Sequence, residues 1–230
     1  TVAVLVGGRP LAVEWTAENV PAVVEAWLPG EEGGNAIADV LFGAANPAGR
    51  LPVSITRSVG QSPVAYDSKP VAAEHEYVFA DPGPLYPFGH GESYTSFEYG
   101  ALDVTPATVA PDGEVTAGVD VTNVGDRAGD ETVQFYVRTP ERSRVRPSRS
   151  LVGFRRASLG PGETATVECT LSTDQVAFYD REERLVVEPG TVDVLVGASS
   201  ADVRASDGFE IRGETTPVGD RRYFSDVVRR

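Results

Sequence analysis

Thr164-Ala165-Thr166-Val167-Glu168-Cys169-Thr170-Leu171 alternates polar and apolar side chains with a period of two. In an extended chain that period sends Val167, Cys169 and Leu171 to one face and their neighbours to the other. The stretch therefore predicts a β-strand with one buried side, and Cys169 on that side predicts a core thiol rather than a reactive one. It is the single cysteine of the chain, so no internal disulfide can form. The same grammar recurs at Ala101–Val104, Val115–Thr122, Thr132–Val137, Leu151–Arg155, Leu185–Val187 and Val192–Val196. Turn signals part these runs: Pro111-Asp112-Gly113, Asn123-Val124-Gly125-Asp126, Gly160-Pro161-Gly162 and Glu188-Pro189-Gly190.

About seven short strands in roughly 115 residues imply an all-β immunoglobulin-like sandwich. No cysteine pair or strand tryptophan accompanies it, which points to the fibronectin type III-like variety. We place this domain at residues 96–212. A polar tail, 213–230, follows; it carries four Arg in its last ten residues. Loose end and docked arm both remain open for it.

Residues 1–60 follow a different pattern, that of an α/β partial sandwich with a fragment of parallel sheet. Val2–Val6 is a continuous apolar run, as expected of a strand buried on both faces. Val20–Trp27 is a second apolar segment, ended by Pro29-Gly30. Ile37, Val40 and Leu41 then fall at helical spacing. Glu31 and Glu32 suit the positive end of that helix and Gly43 suits its C-terminal stop. Leu51–Ile55 can return as a strand. Between them and the sandwich, residues 61–95 read as a connector, broken by Pro63, Pro70, Pro82, Pro84 and Pro87. Tyr66, Tyr77, Tyr86, Phe79 and Phe88 should anchor it to a surface.

The 230 residues carry 34 Asp+Glu against 20 Lys+Arg, a net charge of −14, and Lys69 is the only lysine. Such a surface disfavours nucleic acid and anionic membranes as partners. Acid-rich, lysine-poor composition also fits a high-salt setting, where carboxylates hold water and self-repulsion is screened. The longest apolar run is far short of a membrane span. No methionine occurs, and the chain opens on a strand-like run, so the expectation is a fragment or a processed product.

Three stretches together resemble the C-terminal half of the family 3 glycoside hydrolases, the β-glucosidase and β-xylosidase type. The first is Trp27-Leu28-Pro29-Gly30-Glu31-Glu32-Gly33-Gly34-Asn35-Ala36-Ile37-Ala38-Asp39-Val40-Leu41-Phe42-Gly43 with Asn46-Pro47-Ala48-Gly49-Arg50-Leu51-Pro52-Val53. The second is Pro84-Leu85-Tyr86-Pro87-Phe88-Gly89-His90-Gly91-Glu92-Ser93-Tyr94-Thr95-Ser96-Phe97. The third runs from Leu151-Val152-Gly153-Phe154-Arg155-Arg156 through Pro161-Gly162-Glu163-Thr164 and Phe178-Tyr179-Asp180 to Gly197-Ala198-Ser199-Ser200. Glu92 stands where the family pattern has Leu, Glu31 where it has Gln, and the connector at Ala72–Asp81 is short.

The resemblance implies a retaining β-glycosidase, whose chemistry needs a nucleophile and an acid/base carboxylate about 5–5.5 Å apart. It implies an Asp nucleophile on an N-terminal barrel and a Glu acid/base on an upstream loop of the sandwich domain. Neither maps onto a position of this sequence, so the expectation is no catalytic residue, no cofactor and no metal site here. The expected partner is the missing barrel together with the first half of the sandwich domain, and the chain by itself is expected to be inactive. A non-catalytic carbohydrate-associated or protein-interaction module, or the C-terminal subunit of a split glycosidase, remain as alternatives.

Other local groups carry little chemistry of their own. Glu74 and Glu76 flank His75, but acids beside a His in a loop are usually solvated. His75, His90 and Cys169 lack zinc spacing. Gly7-Gly8 and Gly33-Gly34 lack the context of a phosphate loop. Gly89 and Gly91 suit a turn with positive φ. Arg142, Arg144, Arg146 and Arg149 are expected to pair with neighbouring acids. Trp15 and Trp27 are expected to pack in a core or between domains.

Overall fold

The computed structural model describes residues 1–69, 81–140 and 143–230. Glu74, His75, Glu76, Tyr77, Phe79 and Arg142 lie outside them. The chain opens with β1 (Val2–Leu5), α1 (Glu14–Asn19), β2 (Ala22–Glu25) and α2 (Gly33–Leu41). β1 and β2 pair in parallel, Val2 opposite Ala22 and Leu5 opposite Glu25. Parallel pairing with an intervening helix is the α/β unit that the apolar runs announced.

Its burial differs from expectation. No residue of β1 or β2 is fully buried, and Val2 and Val6 are 45% and 58% exposed. Two parallel strands and two short helices cannot cover both faces of a sheet. Leu51–Ile55 forms no strand either; Ile55 makes one antiparallel bridge, to Tyr86. Pro52 removes a ladder donor in the middle of the run. Glu32 is the residue capping α2, so the acidic pair precedes the first turn instead of sitting in it.

The sandwich is built from β3 (Phe97–Tyr99), β4 (Asp103–Thr105), β5 (Thr108–Val109), β6 (Glu114–Asn123), β7 (Gly129–Arg138), β8 (Ser150–Leu159), β9 (Thr164–Ser172), β10 (Phe178–Tyr179), β11 (Leu185–Val187), β12 (Gly190–Gly197), β13 (Val203–Ile211), β14 (Thr216–Pro217) and β15 (Asp226–Arg229). One sheet runs β5-β13-β12-β7-β8; the other runs β15-β9-β6-β3, with β4 also on β6; β10, β11 and β14 make a small third sheet. Val133, Phe135, Val192, Val194 and Val196 of one sheet meet Val115, Val119, Val121, Val167 and Cys169 of the other. Each of those residues is at most 2% exposed. Period-2 alternation filled this core, and it is where the sequence was most legible.

β7 breaks the alternation. Every residue from Glu131 to Val137 is buried, which means that the outer face of the sheet is covered too. The cover is the connector. Tyr66 stacks on Phe88 at 4.2 Å and meets Tyr136 edge-on at 6.0 Å. The Tyr66 hydroxyl accepts from the Leu151 N–H, and the Ser148 N–H donates to the Ser68 carbonyl. Three of the expected anchors, Tyr66, Tyr86 and Phe88, are thus placed.

The tail after Arg212 is a docked arm. β15 pairs antiparallel with β9, Val227 opposite Cys169, and Val227 enters the core cluster.

Candidate functional site

Two features of the described residues concern function: a joint between the α/β part and the sandwich, and a set of large apolar side chains left exposed in residues 1–60.

The joint is made by the sequence motifs. Asn46, in the Asn-Pro-Ala-Gly-Arg turn, accepts from the Tyr94 N–H at 2.8 Å and from the Ser93 hydroxyl at 3.1 Å. Its amide donates to the Ala128 carbonyl at 3.1 Å. The Tyr94 hydroxyl donates to the Val40 carbonyl of α2 at 2.8 Å, and Arg127 reaches the Gly43 carbonyl and lies over the Tyr94 ring. Deeper in, Arg50 forms an ion pair with Glu131 at 2.7 Å, their side chains 8% and 4% exposed. The second Glu131 oxygen accepts from the Tyr99 hydroxyl at 2.7 Å. Burial, and then the Glu131 charge, push the Tyr99 phenol far above its ordinary range, so it stays protonated and donates.

Gln134 holds the other end. Its amide donates to the carbonyls of Gly89 and Ala198, and its oxygen accepts from the Tyr136 hydroxyl at 2.7 Å. Gly89 adopts φ +81°, and a Cβ there would stand 2.1 Å from Gln134 Oε1. Gly91 is required for another reason than the turn expected of it. Its φ is not positive, but a Cβ would lie 2.2 Å from the Gly49 carbonyl oxygen. The Phe88-Gly89-His90-Gly91 motif is therefore a place of close backbone approach.

Residues 1–60 leave several large apolar side chains in water. Trp15 is 71% exposed, Leu28 74%, Phe42 88% and Val59 84%, with Val6 and Leu11 also exposed. Scattered exposed apolar residues are ordinary, but this many large ones within 60 residues is more than a surface usually carries. Trp15 is not a core residue of the chain, as one reading of it held. Trp27 is half-buried at φ +51°.

The remaining candidates separate. Glu31 and Glu32 are exposed, and Glu32 accepts from Asn35 at 2.6 Å. His90 stacks on Tyr86 at 5.2 Å and lies 3.7 Å from Glu92; burial lowers its pKa, chiefly against the Glu92 charge. Two members of the arginine loop depart from expectation. Arg144 and Arg149 donate to main-chain carbonyls of Asp180 and of Ser200, where pairing with acids was expected; Arg146 donates to those of Val176 and Ala177. Short strands leave carbonyls unpaired at their ends, and a guanidinium satisfies several at once. Cys169 is buried, and burial pushes its thiol up to about 11. Among the described residues no group of three or more His, Cys, Asp or Glu is placed to hold a metal ion. No described helix is long and apolar enough to cross a membrane. Sequence reasoning missed Glu131, Gln134 and Tyr99; the only signal was a charged and an amide residue inside an otherwise apolar strand.

Comparison with known proteins places this geometry. The model of the glycosyl hydrolase family 3 C-terminal domain matches residues 1–94, and that of a fibronectin type III-like domain matches residues 131–200. The chain belongs to glycosyl hydrolase family 3. It corresponds to the C-terminal domain of that family with a fibronectin type III-like domain after it. A β-xylosidase of Formosa agariphila is 44% identical over 202 residues, which cover 86% of this chain and 28% of that protein. A periplasmic β-glucosidase of Salmonella typhimurium is 42% identical over 220 residues, 91% of this chain and 29% of that one. Among solved structures, a β-glucosidase from Erythrobacter marinus superposes with a TM-score of 0.88 at 44% identity, over 92% of this chain and 28% of that one. The glucose complex of a Listeria innocua β-glucosidase gives 0.87 at 35%, over 93% and 31%. The family 3 chain described here thus spans less than a third of the length of these relatives.

Proposed function

We propose that this chain is the scaffold portion of a retaining β-glycosidase acting on β-glucosides or β-xylosides, with both catalytic carboxylates supplied by sequence outside these residues. The observation that carries the reading is the exposure of Trp15, Leu28, Phe42 and Val59, all on the very segment matched by the family's C-terminal domain. Their cover in this reading is the first half of the α/β sandwich domain, with the barrel beyond it. Burying those side chains removes apolar surface from water, at roughly 25 cal/mol per Å². The joint then fixes the sandwich against the completed domain, through Arg50–Glu131 and Asn46–Tyr94. The role of the chain is to brace the loop that carries the acid/base and to shape the outer sugar subsites.

The test is direct. The purified chain, given nitrophenyl β-glucoside or β-xyloside, is expected to release no nitrophenol above the blank. Mixing it with a separately produced N-terminal portion is expected to restore turnover. Robust turnover by the chain alone would overturn the proposal.

A further inference from the structure

We infer that the cleft between the tail and strands β6 and β9 is a binding site for one pyranose ring of a carbohydrate chain. The site lies on the sandwich and is independent of the scaffold reading; only the choice of probes leans on the family's chemistry.

The docked tail creates the cleft. Where β15 joins β9, the segment before it arches over the ends of β6 and β9 and encloses about 220 Å³, open to solvent on one side. Glu114, Thr170 and Ser172 line it from the strands, Gln175 from the turn after β9, and Arg222, Phe224, Ser225 and Asp226 from the tail. That volume is below the range typical of drug-sized ligands, about 300–1,000 Å³, and suits a single ring.

Its chemistry is that of sugar recognition. A pyranose offers an apolar face of C–H groups and a rim of hydroxyls that both donate and accept. Phe224 supplies a flat apolar surface, 71% exposed although it lines the cleft. An aromatic ring left in water beside a cleft is a surface for stacking. The polar groups supply both senses of hydrogen bond. Arg222 is held by Glu114 at 2.7 Å and by Asp174 at 3.4 Å, so its guanidinium is fixed at the rim. Gln175 lies beneath them and ties the tail to the end of β9. It is 2% exposed; its oxygen accepts from the Ser172 N–H and the Ser225 hydroxyl, and its Nε2 has no partner. The exposed polar groups of the lining, Glu114, Arg222 and Asp226, supply both acceptors and donors to a ligand in the cleft.

Affinity electrophoresis tests the site on the intact chain. Native gels containing soluble mixed-linkage β-glucan, laminarin or xylan are compared with gels lacking polysaccharide. Retardation is expected in at least one of them. Phe224→Ala is expected to reduce it at least five-fold, while Phe224→Trp keeps it. Tyr223→Ala serves as the control, because Tyr223 is 67% exposed yet does not line the cleft; it is expected to migrate like the parent chain. Both Ala variants alter exposed side chains, and circular dichroism checks that they are folded. Free migration of the parent chain in all three gels overturns the site. So does retardation that survives Phe224→Ala, or that falls equally with Tyr223→Ala. Because the readout is binding and not turnover, its failure leaves the scaffold proposal standing, and the reverse also holds.

Discussion

Glu131 is a carboxylate almost wholly removed from water, and it survives there because Arg50 and Tyr99 take its two oxygens. Removing one partner of such a pair strands the other charge in a poorly solvated place, at a cost of about 3–5 kcal/mol. Glu131→Ala should therefore lower unfolding free energy by that order in a urea titration. Arg50→Met with Glu131→Leu should recover most of the loss, since an apolar pair leaves no orphan charge. A double variant as weak as the single one would argue against stranding as the cause. Gly89→Ala tests a second contact. It places a methyl against Gln134 at a φ that L-residues avoid, and about 2–3 kcal/mol of destabilisation is expected. The buried proton donors give a pH signature. Burial raises the phenols of Tyr99 and Tyr136 and pushes the Cys169 thiol up to about 11. The folded chain keeps these protons where the unfolded chain releases them, near pH 8.5 for Cys and 10 for Tyr. Their contribution is thus complete below about pH 8.5 and is lost as pH rises through the folded values. Thermal melts should fall steeply above pH 9–10, and phenolate absorbance should show Tyr99 and Tyr136 titrating only with unfolding. Early, reversible titration of all eight tyrosines would contradict this burial.

At the scale of elements, the tail is the test case. β15 adds a strand to β9, seats Val227 against Cys169, and brings Arg222, Arg229 and Arg230 onto Glu114, Glu163 and Glu168. The Ser225 N–H donates to the Val152 carbonyl, so the arm also touches the other sheet. A chain cut after Arg212 leaves the edge of β9 unpaired and Val167 and Cys169 partly uncovered. It should melt well below the full chain, and Cys169 should become alkylated by a thiol reagent that leaves the full chain unmodified. Unchanged reactivity would mean that the arm only rests on the surface. The sequence reading predicted β6, β7, β9 and β12 from alternation but missed β13 and β15, for a physical reason. β13 buries only Phe209 and Ile211, and β15 only Val227, so neither offers a period to read. Their pairing is fixed by backbone hydrogen bonds, which almost any sequence can supply, and by ion pairs that leave no apolar period. The joint was legible as motifs, in the glycines and Asn46, yet its partners Glu131 and Gln134 were hidden. A strand covered on both faces by different layers has no polar side to mark its register.

Across the whole molecule, the net charge of −14 opposes compaction, while the exposed ion pairs favour it. Salt weakens both, and the magnitudes decide which loss matters. Exposed pairs such as Arg138–Asp193, Arg204–Asp202 and Arg212–Glu210 are worth about 0–1 kcal/mol each. They lie within a few ångströms, inside the Debye length even at about 1 M salt, where it is near 3 Å. The repulsion among unpaired carboxylates acts over longer distances and is removed first, since the Debye length is about 8 Å at 0.15 M. Screening should therefore relieve more repulsion than it removes attraction. Thermal denaturation of the chain is expected to shift upward by several degrees between 0.1 and 2 M KCl, with most of the rise complete by about 1 M. Sodium perchlorate at matched ionic strength separates screening from surface-tension effects. A rise of similar size in the first few hundred millimolar of both salts identifies charge screening, whereas a rise in KCl alone assigns the effect to apolar burial. A melting temperature that falls with both salts from the outset would show that the ion pairs, the tail's arginines among them, outweigh the acidic surface.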